Sequence, residues 1–264
     1  LTGIGYAFDK QQLFWLNAMP GLAAGTLRIV HTFLIPIFGT RKVVAVSTLL
    51  LLIPPIGWGI AVQNPDTSYS TFMLLGFLAG LGGGNFSSFM PSTSLFFPKK
   101  LQGTALVSQA GIGNFGVIVA QFMIPVVIGV SLGAAPQHFV DKKDGVVVKE
   151  ADIFLQNAAY VWAPFVVIGV LLAWFGLKSV PVKANFREQL DIFKNKHTWL
   201  MTSLYIMTFG SFSGYAASFP LLIKETYTKF DGGPDPLKYA FLGPLVGAVV
   251  RALFGPVSDR IGGA

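Results

Sequence analysis

Long uncharged stretches separated by short polar clusters organise this 264-residue chain. Val43–Pro65, Thr67–Pro98, Leu101–Val140, Ile153–Leu177 and His197–Ile223 contain no Asp, Glu, Lys or Arg. A helix needs about 20 mostly apolar residues to cross a bilayer, so each stretch holds one crossing. The longest of them ends in Gly133-Ala-Ala-Pro136, which reads as loop and leaves room for one long crossing before it. Gln11–Thr40 and Tyr239–Ser258 are interrupted only by Arg28 and Arg251. The pattern predicts seven membrane helices, at about residues 12–38, 43–62, 71–96, 103–130, 154–177, 198–223 and 238–257. No segment has the form of a cleaved signal, and both ends, Leu1 and Arg260-Ile-Gly-Gly-Ala264, read as cuts through a longer protein.

Composition agrees with a membrane protein. Charged residues make up 12% of the chain and hydrophobic residues 53%, against about 25% charged in soluble domains. That excludes disorder and coiled coil, and the absence of cysteine excludes a disulfide scaffold. The net charge of +7 would point to nucleic acid on a soluble protein, but its distribution says otherwise. Arg41, Lys42, Lys99, Lys100, Lys178, Lys183, Arg187, Lys194, Lys196 and Arg260 fall on one side, with only Glu188, Asp191 and Asp259 as acids. The other side carries nine acids against seven lysines. The basic side is therefore cytoplasmic, and no nucleic-acid partner is expected.

Arg28 and Arg251 are left inside the membrane. A mid-bilayer charge costs at least ~2.5–3.5 kcal/mol, and arginine does not escape by losing its proton. No Asp or Glu lies inside any of the seven segments, so the counter-charge must come from elsewhere in the protein or from a ligand. Guanidinium forks match a planar oxyanion bidentately. Snorkelling is the plain alternative, but Arg28 stands thirteen residues before the basic pair at Arg41, near mid-membrane at ~1.5 Å per residue. Arg28-Ile-Val-His-Thr-Phe-Leu-Ile-Pro-Ile-Phe-Gly39 also aligns with Arg251-Ala-Leu-Phe-Gly-Pro-Val-Ser-Asp-Arg-Ile-Gly262. The two strings place both arginines at equivalent depths, as a duplicated six-helix unit in like orientation would, the parallel repeat of the major facilitator fold, although the first copy has Pro36-Ile37 where Asp259-Arg260 stand in the second.

The glycine-rich string Ala110-Gly-Ile-Gly-Asn-Phe-Gly116 fits close helix packing. Gly111-x-Gly113-x-x-Gly116 is not a dinucleotide loop, because no strand precedes it. Asn114 differs from its neighbours in offering an uncharged donor to a cavity. This string resembles the nitrate signature of the nitrate/nitrite porters, a branch of the major facilitator superfamily. Ala18-Met-Pro-Gly-Leu-Ala-Ala-Gly-Thr-Leu-Arg28, Gly84-Asn-Phe-Ser-Ser-Phe-Met-Pro91, Phe96-Phe-Pro-Lys-Lys-Leu-Gln-Gly103, Leu204-Tyr-Ile-Met-Thr-Phe-Gly-Ser-Phe212 and Gly255-Pro-Val-Ser-Asp-Arg260 resemble the same family. The resemblance implies an all-α integral membrane protein with the major facilitator fold, two six-helix bundles in the full protein and a central nitrate site. This chain would cover helices two to eight. Residues 1–180 would form most of the first bundle, 181–197 a cytoplasmic linker and 198–264 the start of the second bundle. By that resemblance Arg28 and Arg251 hold the anion and Asn114 hydrogen-bonds it. Phe86, Tyr205 and Phe209 wall the site, and Gly111, Gly113 and Gly116 let their helix slide or bend. Tyr205 and Phe209, one turn apart, share a helix face on spacing alone.

These residues leave the coupling open. His31, three residues after Arg28, is the one obvious titratable group in the membrane segments. It is either a proton carrier or a neutral support for Arg28, and the charge of Arg28 disfavours a second one beside it. The expectation is therefore nitrate/nitrite antiport by alternating access, with filling of the site relieving repulsion between the arginines. Proton-coupled nitrate symport, or carriage of another small anion, are the alternatives. A seven-helix retinal protein fits less well, since Lys238 lies at the edge of the last segment. An enzyme is not expected: His31, His138 and His197 fall in separate segments without metal-ligand spacing, and neither metal nor cofactor is anticipated. Asp141–Asp152 reads as a solvated loop. The expected setting is the cell inner membrane, multi-pass and monomeric, with nitrate, nitrite and the bilayer as partners.

Overall fold

The structure, a computed structural model, describes residues 1–143, 146–179, 190–227, 234 and 236–261. Most of the expected linker 181–197, the repeat's Gly262, and the charges of Asp144, Lys183, Arg187, Glu188, Lys229, Asp231 and Asp235 lie outside these residues. The chain forms two compact units, Leu1–Ser92 with Val126–Val182, and Thr93–Pro125 with Lys183–Ala264.

The first unit opens with α1, Lys10–Phe38. Asp9 caps it, accepting from the Gln12 backbone N–H at 2.7 Å while Gln12 Oε1 accepts from the Asp9 N–H at 3.0 Å. The helix continues through Pro20 and Pro36 and stops at Gly39, whose φ of 79° suits a residue without Cβ. Next, α2 (Thr40–Leu50) and α3 (Ile53–Ala61) form one bent crossing. The bend falls at Leu51–Leu52, just before Pro54 and Pro55, and tight three-residue bonds from Leu51 to Thr48 and Leu52 to Leu49 turn the chain there. A third crossing is divided into α4 (Tyr69–Ala79), α5 (Leu81–Gly84) and α6 (Phe86–Phe96), with interruptions at Gly80 and Asn85. A fourth consists of α8 (Leu155–Tyr160) and α9 (Trp162–Gly176), and its break at Val161 precedes Pro164, which has no N–H to return to Tyr160. The core sits near the start of α1, where Phe72 is fully buried against Tyr6, Leu16, Val62 and Leu75. The Tyr6 hydroxyl is shared between the Ala61 carbonyl at 2.9 Å and the Asn64 carbonyl at 2.7 Å.

Between these crossings lies the small sheet of the chain. The strands β1 (Gln137–Lys143) and β2 (Val146–Ile153) pair antiparallel, with His138 opposite Asp152. The stretch expected as a solvated loop, Asp141–Asp152, is thus mostly strand. The hairpin rests on the amino-terminal turn, where Phe139 lies so close to Gly3 that a Cβ there would strike its ring.

The second unit contains α7 (Gln102–Val127), α10 (Lys196–Tyr227), a short α11 (Pro236–Tyr239) and α12 (Leu242–Ile261). Small residues set the α7–α12 contact. A Cβ on Gly255 would sit 3.3 Å from Thr104 Cα and Val107 Cβ, and one on Gly111 would sit 3.2 Å from Ala252 Cβ and 3.4 Å from the Ala248 carbonyl. Contacts stepping along both helices by three or four residues describe two close antiparallel backbones, the packing small residues permit in lipid.

Among the described residues, five helical stretches are long and apolar enough to cross a membrane: Gln11–Phe38, Thr40–Ala61, Tyr69–Phe96, Lys99–Val127 and Leu155–Gly176. Large apolar side chains such as Phe14, Leu172 and Phe175 are mostly exposed on them. In water such a surface would be a liability, whereas a bilayer accepts it without cost.

Candidate functional site

Arg28 stands over an aromatic ring in the first unit, and Arg251 lines a cavity together with aromatic side chains in the second. In the first unit α1 carries Arg28 at its middle, half-buried. Its Nε–H donates to the Gly83 carbonyl of α5 at 3.1 Å, and its guanidinium carbon stands 5.2 Å from the centre of the Phe86 ring. Gly83 and Phe86, three residues apart, present one face of the interrupted crossing to it. The ring attracts the cation and shields it. The approach depends on glycine: a Cβ on Gly83 would stand 2.5 Å from Ala24 Cβ, and one on Gly84 2.8 Å from Leu27 Cβ.

His31 lies one turn beyond Arg28, buried against α6. Its Nδ1 is 2.9 Å from the Ser88 hydroxyl oxygen, and that hydroxyl is also 2.9 Å from the His31 carbonyl oxygen. Ser92 continues this buried polar line by donating to the Ser88 carbonyl at 2.8 Å.

In the second unit a cavity of about 350 Å³ is lined by Asn114, Tyr205, Thr208, Phe209, Phe212, Gly247 and Arg251. Four residues singled out from the sequence therefore share one space: Asn114 from α7, Tyr205 and Phe209 from α10, and Arg251 from α12. Tyr205 and Phe209 stack in parallel, with ring centres 5.4 Å apart and planes 3° from coplanar. Phe212 extends the aromatic wall at 6.3 Å from Phe209. Gly247 makes room for it, since a Cβ there would stand 2.8 Å from the Phe212 ring. Among the described residues no carboxylate lines this cavity and Arg251 has no ion-pair partner. The volume suits a small ligand, and the lining offers a fixed cation, an amide and ring faces.

Of the signature glycines, Gly111 is buried at the α7–α12 crossing, whereas Gly113 and Gly116 face open space. At the end of α12 Asp259 accepts from the backbone N–H of Thr104 at 2.7 Å and from its hydroxyl. These bonds, the hydroxyl's first, hold the Asp259 carboxyl below its ordinary range. Gly103 leaves the space that the carboxylate occupies. Among the described residues no cluster of His, Asp and Glu is arranged to hold a metal ion.

The Major Facilitator Superfamily matches residues 2–264. The chain belongs to that superfamily. Among its relatives is the "Probable nitrate/nitrite antiporter NarK2" of Thermus thermophilus, 63% identical over the whole of this chain and 60% of the relative. The "Nitrate/nitrite transporter NarU" of Escherichia coli is 41% identical over the whole chain and 55% of its own length. The "Probable nitrate transporter NarT" of Staphylococcus epidermidis is 28% identical over 95% of this chain and 59% of its own length. The chain thus spans between one half and two thirds of the length of these three relatives.

Sequence reasoning missed several contributors to the site of this superfamily member. Thr208 and Phe212 stand on the α10 face already marked by Tyr205 and Phe209, at spacings of three and seven from Tyr205, and helical periodicity was the available signal. Gly83 acts through its carbonyl, which no side-chain pattern reveals. Ser88 stands in a string noted only for its resemblance.

Proposed function

We propose that the chain forms the substrate-handling part of a secondary transporter that exchanges nitrate for nitrite across the cytoplasmic membrane by alternating access. The observation that carries this reading is the second-unit cavity, in which Arg251 meets Asn114, Tyr205 and Phe209 without any carboxylate. A guanidinium offers a planar fork that matches a planar oxyanion. The Asn114 amide adds a hydrogen-bond donor, and ring faces exclude water and limit size. In the first unit Arg28 also stands beside an aromatic side chain, over the Phe86 ring. The names of the relatives, which specify nitrate and nitrite, support the choice of anion, and the apolar helices support a multi-pass setting in the inner membrane.

Exchange rather than net uptake follows from fixed charge. Arginines that stay protonated throughout the cycle favour an anion in either direction, and an empty site leaves Arg251, which has no ion-pair partner among the described residues, without a counter-charge in a low-dielectric interior. The test is counterflow with the full-length protein in proteoliposomes loaded with nitrate. Efflux should require nitrite or nitrate on the opposite side. Efflux indifferent to the opposite anion, yet accelerated by a pH gradient, would establish proton symport instead. Competition by formate, chlorate and phosphate tests the anion assignment, and phosphate should compete worst because it is tetrahedral and bulkier.

A further inference from the structure

The hydrogen bonds of Ser88 determine where His31 keeps its proton. A serine hydroxyl has one hydrogen to give. Ser88 Oγ is 2.9 Å from the His31 carbonyl oxygen, and toward a carbonyl it can only donate. The same oxygen is 2.9 Å from His31 Nδ1. With its hydrogen committed to the carbonyl, Oγ must accept from Nδ1–H. The reverse assignment, in which the hydroxyl donates to Nδ1, gives up the carbonyl bond within a site where Ser88 is fully buried. The assignment that uses both contacts is the Nδ1–H tautomer, and in a neutral ring that leaves the lone pair on Nε2. Among the described residues Nε2 has no hydrogen-bond partner. The Cδ2–Nε2 edge of the ring lies beside Gly84, where a Cβ would stand 3.4 Å from Cδ2.

The electrostatic surroundings are simple. Arg28 is one turn away on α1, at neighbouring-position spacing. Within this unit α5 and α6 carry no ionisable side chain. On α4 the sole such group is Tyr69, whose hydroxyl donates to the Gln12 carbonyl near the start of α1. Arg41 and Lys42 on α2 lie ten and eleven residues further along, beyond the cytoplasmic end of α1. Burial opposes a charge on His31. Among the charged groups of the described residues Arg28 is the one at neighbouring-position spacing that adds to this opposition, and an anion held at Arg28 cancels that added part.

We propose that His31 is a proton-accepting group of the anion site: Nε2 takes up a proton when an anion is held at Arg28, and Ser88 is the positioning residue that keeps the lone pair at Nε2. This rests on the anion-binding reading of Arg28. By linkage, protonation tightens anion binding by the same factor that the anion favours protonation. The proton enters with the anion and leaves with it, so one-for-one exchange of two monovalent anions carries it in both directions with no net proton flux.

The test measures nitrate affinity of the purified full-length protein by calorimetry between pH 5 and pH 8, in two buffers of different ionisation enthalpy to count protons taken up. The expected result is an affinity that rises as pH falls, by up to about tenfold per pH unit for one linked proton, with proton uptake on binding. His31→Gln should bind nitrate with a flat pH profile. Ser88→Ala should displace the profile, and Ser88→Thr, which keeps the hydroxyl, should restore it. Imidazole ¹⁵N spectra of the folded wild-type protein provide a readout that does not depend on any variant folding, and they should show Nδ1 protonated and Nε2 bare at neutral pH. A flat wild-type profile, an unchanged profile in His31→Gln, or the opposite tautomer overturns the proposal. Nitrate binding that is tight but independent of pH refutes the proton linkage alone, whereas no nitrate binding at any pH refutes the anion reading beneath it.

Discussion

Replacing Gly80 with alanine should injure this protein far beyond the size of one methyl group. Gly80 lies at the junction of α4 and α5, where that crossing meets α1. A Cβ there would stand 2.7 Å from the Ala24 nitrogen, 2.8 Å from the Pro20 carbonyl oxygen and closer still to Ala23 Cβ. Two of the three atoms are backbone, and Ala23 is 1% exposed, so no flexible side chain can yield. Bringing both backbone contacts out to 3.4 Å, the near edge of ordinary contact, requires α1 to retreat by about 0.6–0.7 Å. Overpacking of this kind costs roughly 1–3 kcal/mol, partly offset by the better helix propensity of alanine, about 1 kcal/mol at most. Carried two turns along α1, the same retreat would stretch the 3.1 Å bond from Arg28 to Gly83 past the usual 3.2 Å limit. The assay pairs thermal unfolding of the detergent-purified full-length protein with nitrate counterflow in proteoliposomes. We expect the midpoint to fall by a few degrees, on the order of 2–4 °C per kcal/mol for a chain of this size, and exchange to fall with it. Gly82→Ala is the control, because its Cβ would meet only Leu51 Cδ2 at an ordinary 3.6 Å, and it should be neutral or slightly stabilising. If Gly80→Ala unfolds and exchanges like Gly82→Ala, the close crossing does not hold Arg28.

Further expectations follow from the same geometry. Arg251→Lys keeps the charge but loses the planar fork, so counterflow should drop at least about tenfold, and wild-type exchange would refute bidentate recognition. Asp259→Asn removes the charge from the acceptor of two Thr104 hydrogen bonds and should speed hydrogen exchange at the start of α7. Because the folded carboxyl is held below its ordinary range, its stabilisation is present above the unfolded value near 3.9 and is lost as pH falls through the folded one. Acid sensitivity of α7 that persists unchanged in Asp259→Asn would contradict this. On the hairpin, His138 Nδ1 is 3.1 Å from Asp152 and Nε2 is 2.8 Å from Glu150, and these partners, Asp152 first, raise its pKa. Its contribution is therefore complete below about 6.5 and fades as pH rises through the raised value. Hydrogen exchange of β1 and β2, corrected for intrinsic rates, should quicken over that window, and His138→Gln should abolish the dependence.

Much of this architecture was legible along the chain because lipid imposes a blunt rule: charges mark loops and their absence marks crossings. The stretch expected at 12–38 is Lys10–Phe38, and that expected at 154–177 is covered by Leu155–Tyr160 with Trp162–Gly176. Hydropathy did not reveal that three crossings are broken, at Leu51–Leu52, at Gly80 and Asn85, and at Val161. Proline and glycine are legible there, but whether each kinks a helix depends on the packing that receives the kink. The hairpin was missed because charge density in Asp141–Asp152 outweighed a local signal: Asp144-Gly145 stands between the strands, and that pair is favoured in tight hairpin turns. At the site, Arg28 and Arg251 stood out because intramembrane charge is expensive. The carbonyl that accepts from Arg28 and the hydroxyl that orients His31 did not, since main-chain acceptors and serines occur everywhere and only the fold selects among them.

The Arg28–Gly83 bond also places a demand on how the protein enters the membrane. Two of the groups that stabilise Arg28, the Gly83 carbonyl and the Phe86 ring, are made 55 and 58 residues after it. At synthesis rates of about 5–20 residues per second, α1 waits roughly 3–12 s for them. Throughout that interval its central guanidinium has neither, and insertion of an arginine at helix centre costs ~2.5–3.5 kcal/mol. α1 is therefore a poor candidate for release into lipid alone. Release together with the crossing at Tyr69–Phe96 would spare α1 that cost, so these helices are expected to leave the insertion site as a group rather than in the order in which they are made.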